Sequence, residues 1–254
     1  ITPTMKDRCK VCEPCRGDSV GLPLLECKAW QDLYTSTGGS TWYKYSSPTA
    51  FTDPCKMHSN WDGITCSPTP NGDKSITQIS LAGNLLQGSI PNSIGNLSNL
   101  TNLELAGNFL QGTIPDSIGG LQKLNDLDLS GMSLIGTIPD SISGLSNLTN
   151  LELAGNLLQG AIPGSIGNLK KLTSLDLGRN GLSGPIPKLP DTLKTLGLDG
   201  NQLSGEITNL PPTISPSECL LRPQNPPTRS PFTCAPTITP TMKDRCKVCE
   251  PCRG

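Results

Sequence analysis

Leu81, Leu105, Leu129, Leu153 and Leu177 stand 24 residues apart, and Leu198 follows after a step of 21. Each step repeats a pattern like that of Asn96–Gly119, NLSNLTNLELAGNFLQGTIPDSIG. A fixed period of this length marks a solenoid, because one turn cannot bury its apolar face alone and stacked turns share a continuous core. Within each turn the Leu-x-Leu pair predicts a short strand with both leucines inward, since side chains alternate across a strand. The Gly ahead of Ile-Pro (Gly88, Gly112, Gly136, Gly160 and Gly184) allows a tight return, and Ile-Pro starts an extended segment on the second side.

Asn84, Asn108, Asn156, Asn180 and Asn201 recur at the bend after each strand. An amide there can bond free backbone groups of adjacent turns. Met132 interrupts the series, and a thioether cannot replace an amide, so the third turn is expected to be the weakest rung.

The LxGxIPxxI form resembles the plant-type leucine-rich repeats of receptor-kinase ectodomains and polygalacturonase-inhibitor proteins, over about residues 24–210. The implied fold is an α/β repeat solenoid, a right-handed leucine-rich-repeat coil with a disulfide-stabilised N-terminal cap and Pro-rich linkers. Leu24, Leu25, Trp30, Leu33 and Tyr34 fall at helical spacing, so Leu24 to Tyr34 reads as a helix covering the open end of the core. Trp61-Asp62-Gly63-Ile64-Thr65-Cys66 is similar to the cap's WxGxxC signature, which implies Cys55 as the partner of Cys66. Residues 41–67 read as loop with a short strand. All the tryptophans and tyrosines lie between Trp30 and Trp61, as core packing of a cap requires.

Ile1–Gly17 returns letter for letter as Ile238–Gly254, so the chain reads as one 237-residue period and the opening of a second. The expected organisation is a Cys-rich linker at 1–23, the cap at 24–75, about six turns at 76–210, a C-terminal cap and Pro-rich linker at 211–237, and the next unit from 238. The competing explanations are one cassette placed at both ends by cloning and one flanking motif used twice in an otherwise monomeric protein. Residues 211–254 hold ten prolines among Thr and Ser, a composition that favours extended polyproline II spacers and O-glycosylated stalks. Ser98–Asn108 and Ser146–Asn156 are identical, so part of the surface also repeats.

Eleven cysteines make an odd count, but one period holds eight: Cys9, Cys12, Cys15, Cys27, Cys55, Cys66, Cys219 and Cys234. Eight can all pair. Cys219 and Cys234 are expected to close a loop over the last turn, and the pairing among the first four stays open. Cys9, Cys12 and Cys15 have the spacing of metal ligands, but a fourth ligand is missing and the cysteine usage fits an oxidising compartment. Disulfides are therefore the expectation, with no metal and no cofactor.

With 20 basic and 21 acidic side chains the net charge is −1, which leaves no basic excess for nucleic acid or an anionic membrane. No apolar run approaches the length of a membrane span. His58 is the only histidine, and no GxSxG, GxxxxGK or HExxH is present, so triad, nucleotide and zinc-protease chemistry lack their parts. No enzymatic activity is expected.

Residues between the inward leucines face the concave solvent side: Ser80, Glu104, Asp128, Glu152, Asp176 and Gly197, with Asp126 and Asp199 near them. On strands about 4.8 Å apart, Glu104, Asp128, Glu152 and Asp176 form a carboxylate stripe that a calcium ion or a basic partner would relieve. No strand-face position from Gln78 to Asp199 is aromatic, whereas tight protein interfaces favour Trp, Tyr and Arg. Asn96-Leu97-Ser98, Asn99-Leu100-Thr101 and Asn147-Leu148-Thr149 are N-glycosylation acceptors, with Asn99 and Asn147 ranked above Asn96 because close sequons are seldom both filled.

The reading that follows is a secreted structural glycoprotein, N-glycosylated and a candidate for O-linked glycans, whose tandem units associate with themselves in a filament. The alternative is an extracellular recognition module resembling receptors or glycosidase inhibitors, binding a basic protein or a polysaccharide on the concave face. A third, ice or mineral-surface binding, calls for a regular ladder of Thr or paired acids on a flat face.

Overall fold

A computed structural model of the chain describes residues 21–43, 54–56, 63–207 and 210–214, together with strands at Cys219–Leu220 and Phe232–Cys234. Its spine is an eight-stranded sheet. Ile64–Pro68 pairs antiparallel with Lys74–Ser80, and from there every strand is parallel to the next: Asn102–Glu104, Asp126–Asp128, Asn150–Glu152, Ser174–Asp176, Thr195–Gly197 and Cys219–Leu220. The register is unshifted through five strands, so Ile79, Leu103, Leu127, Leu151 and Leu175 stack in one row. That row and the following leucines, Leu81 to Leu177, are buried. The strand at Cys219–Leu220 extends the sheet past the expected end of the coil at 210, and Leu210 and Ile214 are also buried in its core.

After each strand the chain turns at the Asn position. Asn108 shows how the turns are locked. Its Oδ1 accepts the N–H groups of Asn84 (2.8 Å) and Leu86 (3.0 Å) in the preceding turn, while its Nδ2 donates to Leu81 O (2.9 Å) and Leu105 O (2.7 Å). Asn156, Asn180 and Asn201 repeat the bridge. Met132 is buried in the third-turn place, and no amide spans from there to Leu105 O.

The lateral side carries two small parallel sheets, one of Gln87–Ser89, Phe109–Gly112 and Ser133–Leu134, the other of Gln159–Gly160, Gly181–Gly184 and Gln202–Leu203. The glycines ahead of Ile-Pro all have positive φ, from 79° to 91°, a left-handed region in which a Cβ is strained. At Gly88 a Cβ would also collide with the carbonyl oxygen of Ser36 at the end of the cap helix.

The expected extended segment on the second side lasts only through Ile-Pro. Pro115 has φ −70° and ψ 144°, and a short 3₁₀ helix, Asp116–Gly120, follows at once. Equivalent helices occupy Asn92–Asn96, Asp140–Gly144 and Gly164–Asn168, each pointing an isoleucine (Ile94, Ile142, Ile166) into the core. Proline suits the position before the first helical residue because its fixed φ is ready for the turn and no N–H is lost.

The cap helix runs Leu24–Ser36 and buries Trp30, Leu33 and Tyr34 against Trp42, with the Trp30 and Trp42 rings edge to face at 5.8 Å. Leu24 and Leu25 are a correction: they are 67% and 61% exposed. The helix turns Glu26 inward instead, and its buried carboxylate accepts bonds from Ser75 Oγ (2.6 Å), the Ile76 N–H (2.9 Å) and Asn99 Nδ2 (3.3 Å). Three donors to one buried acidic side chain lie within the normal means of burying a polar group. Cys55 and Cys66 form the expected disulfide, and Cys27 is disulfide-bonded as well. Short 3₁₀ turns at Gly39–Thr41 and Pro54–Lys56 precede the strand that starts at Ile64. Cys9, Cys12, Cys15, His58, Trp61 and Ile238–Gly254 lie outside the described residues, as do the side chains of Cys219 and Cys234.

Candidate functional site

The sheet register sets Ser80, Glu104, Asp128, Glu152, Asp176 and Gly197 in a single row, and Gln78, Asn102, Asp126, Asn150, Ser174 and Thr195 in a second one beside it. The inward leucine between the rows is buried at every turn, while the carboxylates are half-buried on the concave face. The expected stripe exists, but its four members are not equivalent. Asp128 and Asp176 fold back, each accepting a backbone N–H two residues on, from Ser130 and Gly178, both at 2.9 Å. Glu104 and Glu152 have one more methylene, so the same local turn is not imposed on them.

Electrostatics single out the middle of the stripe. Burial raises the Glu152 carboxyl above its ordinary value, and the negative charges of Asp128, Asp126 and Asp176 raise it further. Asp126 is also raised, by burial first and by Asp128 last, against the opposing hydrogen bond from Asn150 (3.4 Å). No cation figures among these influences. The described ion pair at the far end, Arg179 with Asp199 at 4.0 Å, leaves the arginine 83% exposed.

Gly197 ends the row without a side chain and is itself buried, because the Asp176 carboxylate lies where its Cβ would be. Among the described residues no group of three or more His, Cys, Asp or Glu is disposed to hold a metal ion. The concave face therefore offers acceptors spaced for several separate donors rather than one chelating nest.

The three sequons differ in setting. Asn96 is exposed at the end of its 3₁₀ helix. Asn99 and Asn147 are half-buried in equivalent places, and each carboxamide is engaged at both ends: Oδ1 accepts from Lys123 (2.6 Å) or Lys171 (2.7 Å), while Nδ2 donates to Glu26 or to Gln122 O. The link from Lys123 through Asn99 to buried Glu26 was not legible from spacing, since the partners are far apart in the chain. A glutamate on the apolar face of the cap helix was the only signal.

A coil of 24-residue turns with parallel concave strands, an amide ladder and an Ile-Pro return defines a leucine-rich-repeat solenoid. Leucine rich repeat family profiles match residues 75–97, 99–121 and 132–182. A chain of the BIR3–SERK2 complex from Arabidopsis thaliana is 32% identical, with 68% of this chain and 94% of that chain covered at a TM-score of 0.52. The chain belongs to the plant-type leucine-rich-repeat family.

The ectodomain of the Arabidopsis thaliana receptor kinase GASSHO1/SCHENGEN3, in complex with CASPARIAN STRIP INTEGRITY FACTOR 2, is 38% identical over 52% of this chain and 16% of that chain, with a TM-score of 0.51. A plant ice-binding protein is 27% identical over 77% of this chain and 70% of its own, with a TM-score of 0.55. The chain spans 16%, 21% and 25% of three of the chains that it matches. No curated protein sequence matches it. These similar structures are receptors and binding modules, and no helix among the described residues is long and apolar enough to cross a membrane.

Proposed function

We propose that the chain is an extracellular recognition module whose concave face binds a partner presenting cationic or hydrogen-bond-donating groups, a basic peptide segment or a polysaccharide. The observation that carries this reading is the row Glu104–Asp128–Glu152–Asp176 with Asp126 beside it, in which Glu152 is pushed upward by burial and by three acids with no cation to offset them. A donor-rich ligand would remove that repulsion, and the gain is largest where the site excludes water. The similar receptor ectodomains bound to peptides favour the same class of role. Extracellular placement, N-glycans at the three sequons and disulfide pairing of the remaining cysteines belong to this proposal.

Titration of a short oligo-arginine peptide and a panel of neutral wall oligosaccharides against the whole chain tests it. The combined change Glu104→Gln, Asp128→Asn, Glu152→Gln and Asp176→Asn is expected to weaken the bound probe at least about ten-fold, the equivalent of ~1.4 kcal/mol. Unchanged binding by that variant, or no binding by the parent, leaves the stripe as solvated surface.

A second reading rests on one observation, the identity of Ile1–Gly17 with Ile238–Gly254. In it the module is the repeating unit of a secreted fibre. Reduced, denatured native material would then run far above 26.8 kDa, and limited proteolysis would give a ladder with one-unit spacing. A single band near one unit plus glycan would rule the fibre out.

A further inference from the structure

The lateral sheets present a regular array of outward side chains over four turns. The first row is Leu85, Phe109, Ser133 and Leu157, in which the large apolar members are 43%, 56% and 56% exposed. The second is Gln87, Gln111, Ile135 and Gln159, with Ile135 47% exposed, and the third is Ser89, Thr113, Thr137 and Ala161. All twelve positions are exposed and none carries an ionisable group. In a chain with 41 Lys, Arg, Asp and Glu side chains (20 basic, 21 acidic), a face of this size without charge is unusual for surface that meets only water.

We infer that this face binds the same face of a second copy of the chain, with the turns running in opposite directions about a two-fold axis parallel to the strands. A two-fold contact needs a patch that is its own complement. Apolar side chains and carboxamides meet that condition, since Gln both donates and accepts, whereas a charged row would repel its own image. The row order supplies the fit. Reversing the turns sets Leu85 against Leu157 of the second copy, Gln87 against Gln159, Phe109 against Ser133, and Gln111 against Ile135. The one aromatic of the first row thus meets its one small member, and its ring fills the gap that the serine leaves. Aligning the turns in the same direction, about an axis along the stack, would set the first row against the third, Phe109 against Thr113 and Ser133 against Thr137 of the second copy.

Beyond the fourth turn the first row reaches Gly181 and the third Pro185, which ends the contact, and Arg179 with Asp199 flanks it. Strands about 4.8 Å apart and outward positions about 6.6 Å apart give roughly 400 Å² per partner, some 800 Å² in total. Stable complexes bury about 1,200–2,000 Å². Free units therefore associate weakly, and the contact becomes persistent where copies are held at high local concentration. This inference concerns a different face from the proposed ligand site and stands independently of it.

Sedimentation equilibrium of the whole chain from about 0.02 to 2 mM, with circular dichroism as the folding control, is the test. The parent is expected to show rising average mass, and Phe109→Glu or Ser133→Trp to weaken association at least ten-fold. The double change Leu85→Lys with Leu157→Glu sets Lys against Glu at both contacts and is expected to associate, whereas Leu85→Lys with Leu157→Lys is not. Parent protein that stays monomeric to 2 mM overturns the inference, as does equal behaviour of the two double variants. Monomeric parent that adsorbs to ice or crystalline cellulose in a Phe109-dependent way also overturns it, and assigns the array to an ordered surface.

Discussion

Replacing Met132 by asparagine inserts the missing rung of the amide ladder. In the fourth ladder position, one turn on, Asn156 defines what one rung does: Nδ2 donates to Leu129 O at 2.7 Å and Leu153 O at 3.1 Å, and Oδ1 accepts the Leu134 N–H at 3.1 Å. Shifted by one 24-residue period, the new amide would serve Leu105 O, Leu129 O and the Leu110 N–H. Three bonds at about 1 kcal/mol net each give ~3 kcal/mol. Against this stands the loss of a thioether side chain that is 7% exposed, worth about 2 kcal/mol of apolar burial. Met132→Asn is thus expected to stabilise the chain by about 1 kcal/mol. The reverse exchange, Asn156→Met, removes the same bonds and strands buried backbone groups, each worth about 1–3 kcal/mol, so it is expected to cost at least ~3 kcal/mol. Urea unfolding followed by circular dichroism measures both, and amide exchange at Leu110 and Leu134 localises the effect. If Met132→Asn destabilises while Asn156→Met is tolerated, the ladder is not what couples adjacent turns.

Three further outcomes follow from particular contacts. Glu152 has a folded pKa raised above its unfolded value, so the native state binds its proton more tightly and stability falls as pH rises through that window; Glu152→Gln should raise the melting temperature at pH 7, with the advantage shrinking as the pH approaches 4. Glu26→Ala should cost about 3 kcal/mol by urea titration, because Ser75 and the Ile76 N–H lose their acceptor in a buried site, and Glu26→Gln should cost less. Leu33→Ala should cost about 2–5 kcal/mol, whereas Leu24→Ser and Leu25→Ser should stay within about 0.5 kcal/mol by the same titration.

The coil was legible because a strict period projects onto strict columns: the 24-residue step of the leucines fixes which side chains are inward at every turn, and the register bears this out from Ile79 to Leu175. The glycines ahead of Ile-Pro were legible for the same reason, and each has the positive φ that the return demands. The cap helix was legible as a helix but not in its rotation. Leu24 and Leu25 share the apolar character of Trp30 and Leu33, yet the inward position at the first turn belongs to Glu26, whose oxygens accept from Ser75 in a strand and Asn99 in a turn, both far along the chain. The carboxylate row was legible as a row. Its inequality was not, because whether an acid turns back to its own backbone depends on side-chain length and local turn, as Asp128 and Asp176 show against Glu152.

The third turn concentrates the departures from the repeat. Met132, Ser133 and Ile135 stand where neighbouring turns have Asn, Leu or Phe, and Gln. Met132 leaves one amide rung out of the ladder, while Ser133 and Ile135 alter only the outward array. A serine in the apolar row reduces exposed hydrophobic area, which favours solubility; an isoleucine in the amide row increases it. The two changes do not cancel, since they sit in different rows and shift the apolar stripe sideways by one outward position at that turn. On a solvated surface such a shift has no consequence, but across a two-fold contact it opens a recess in one row and raises a ridge in the next. The repeat therefore gives this protein two chemically separate faces, one acidic and one uncharged, and the single irregular turn gives the uncharged one a shape.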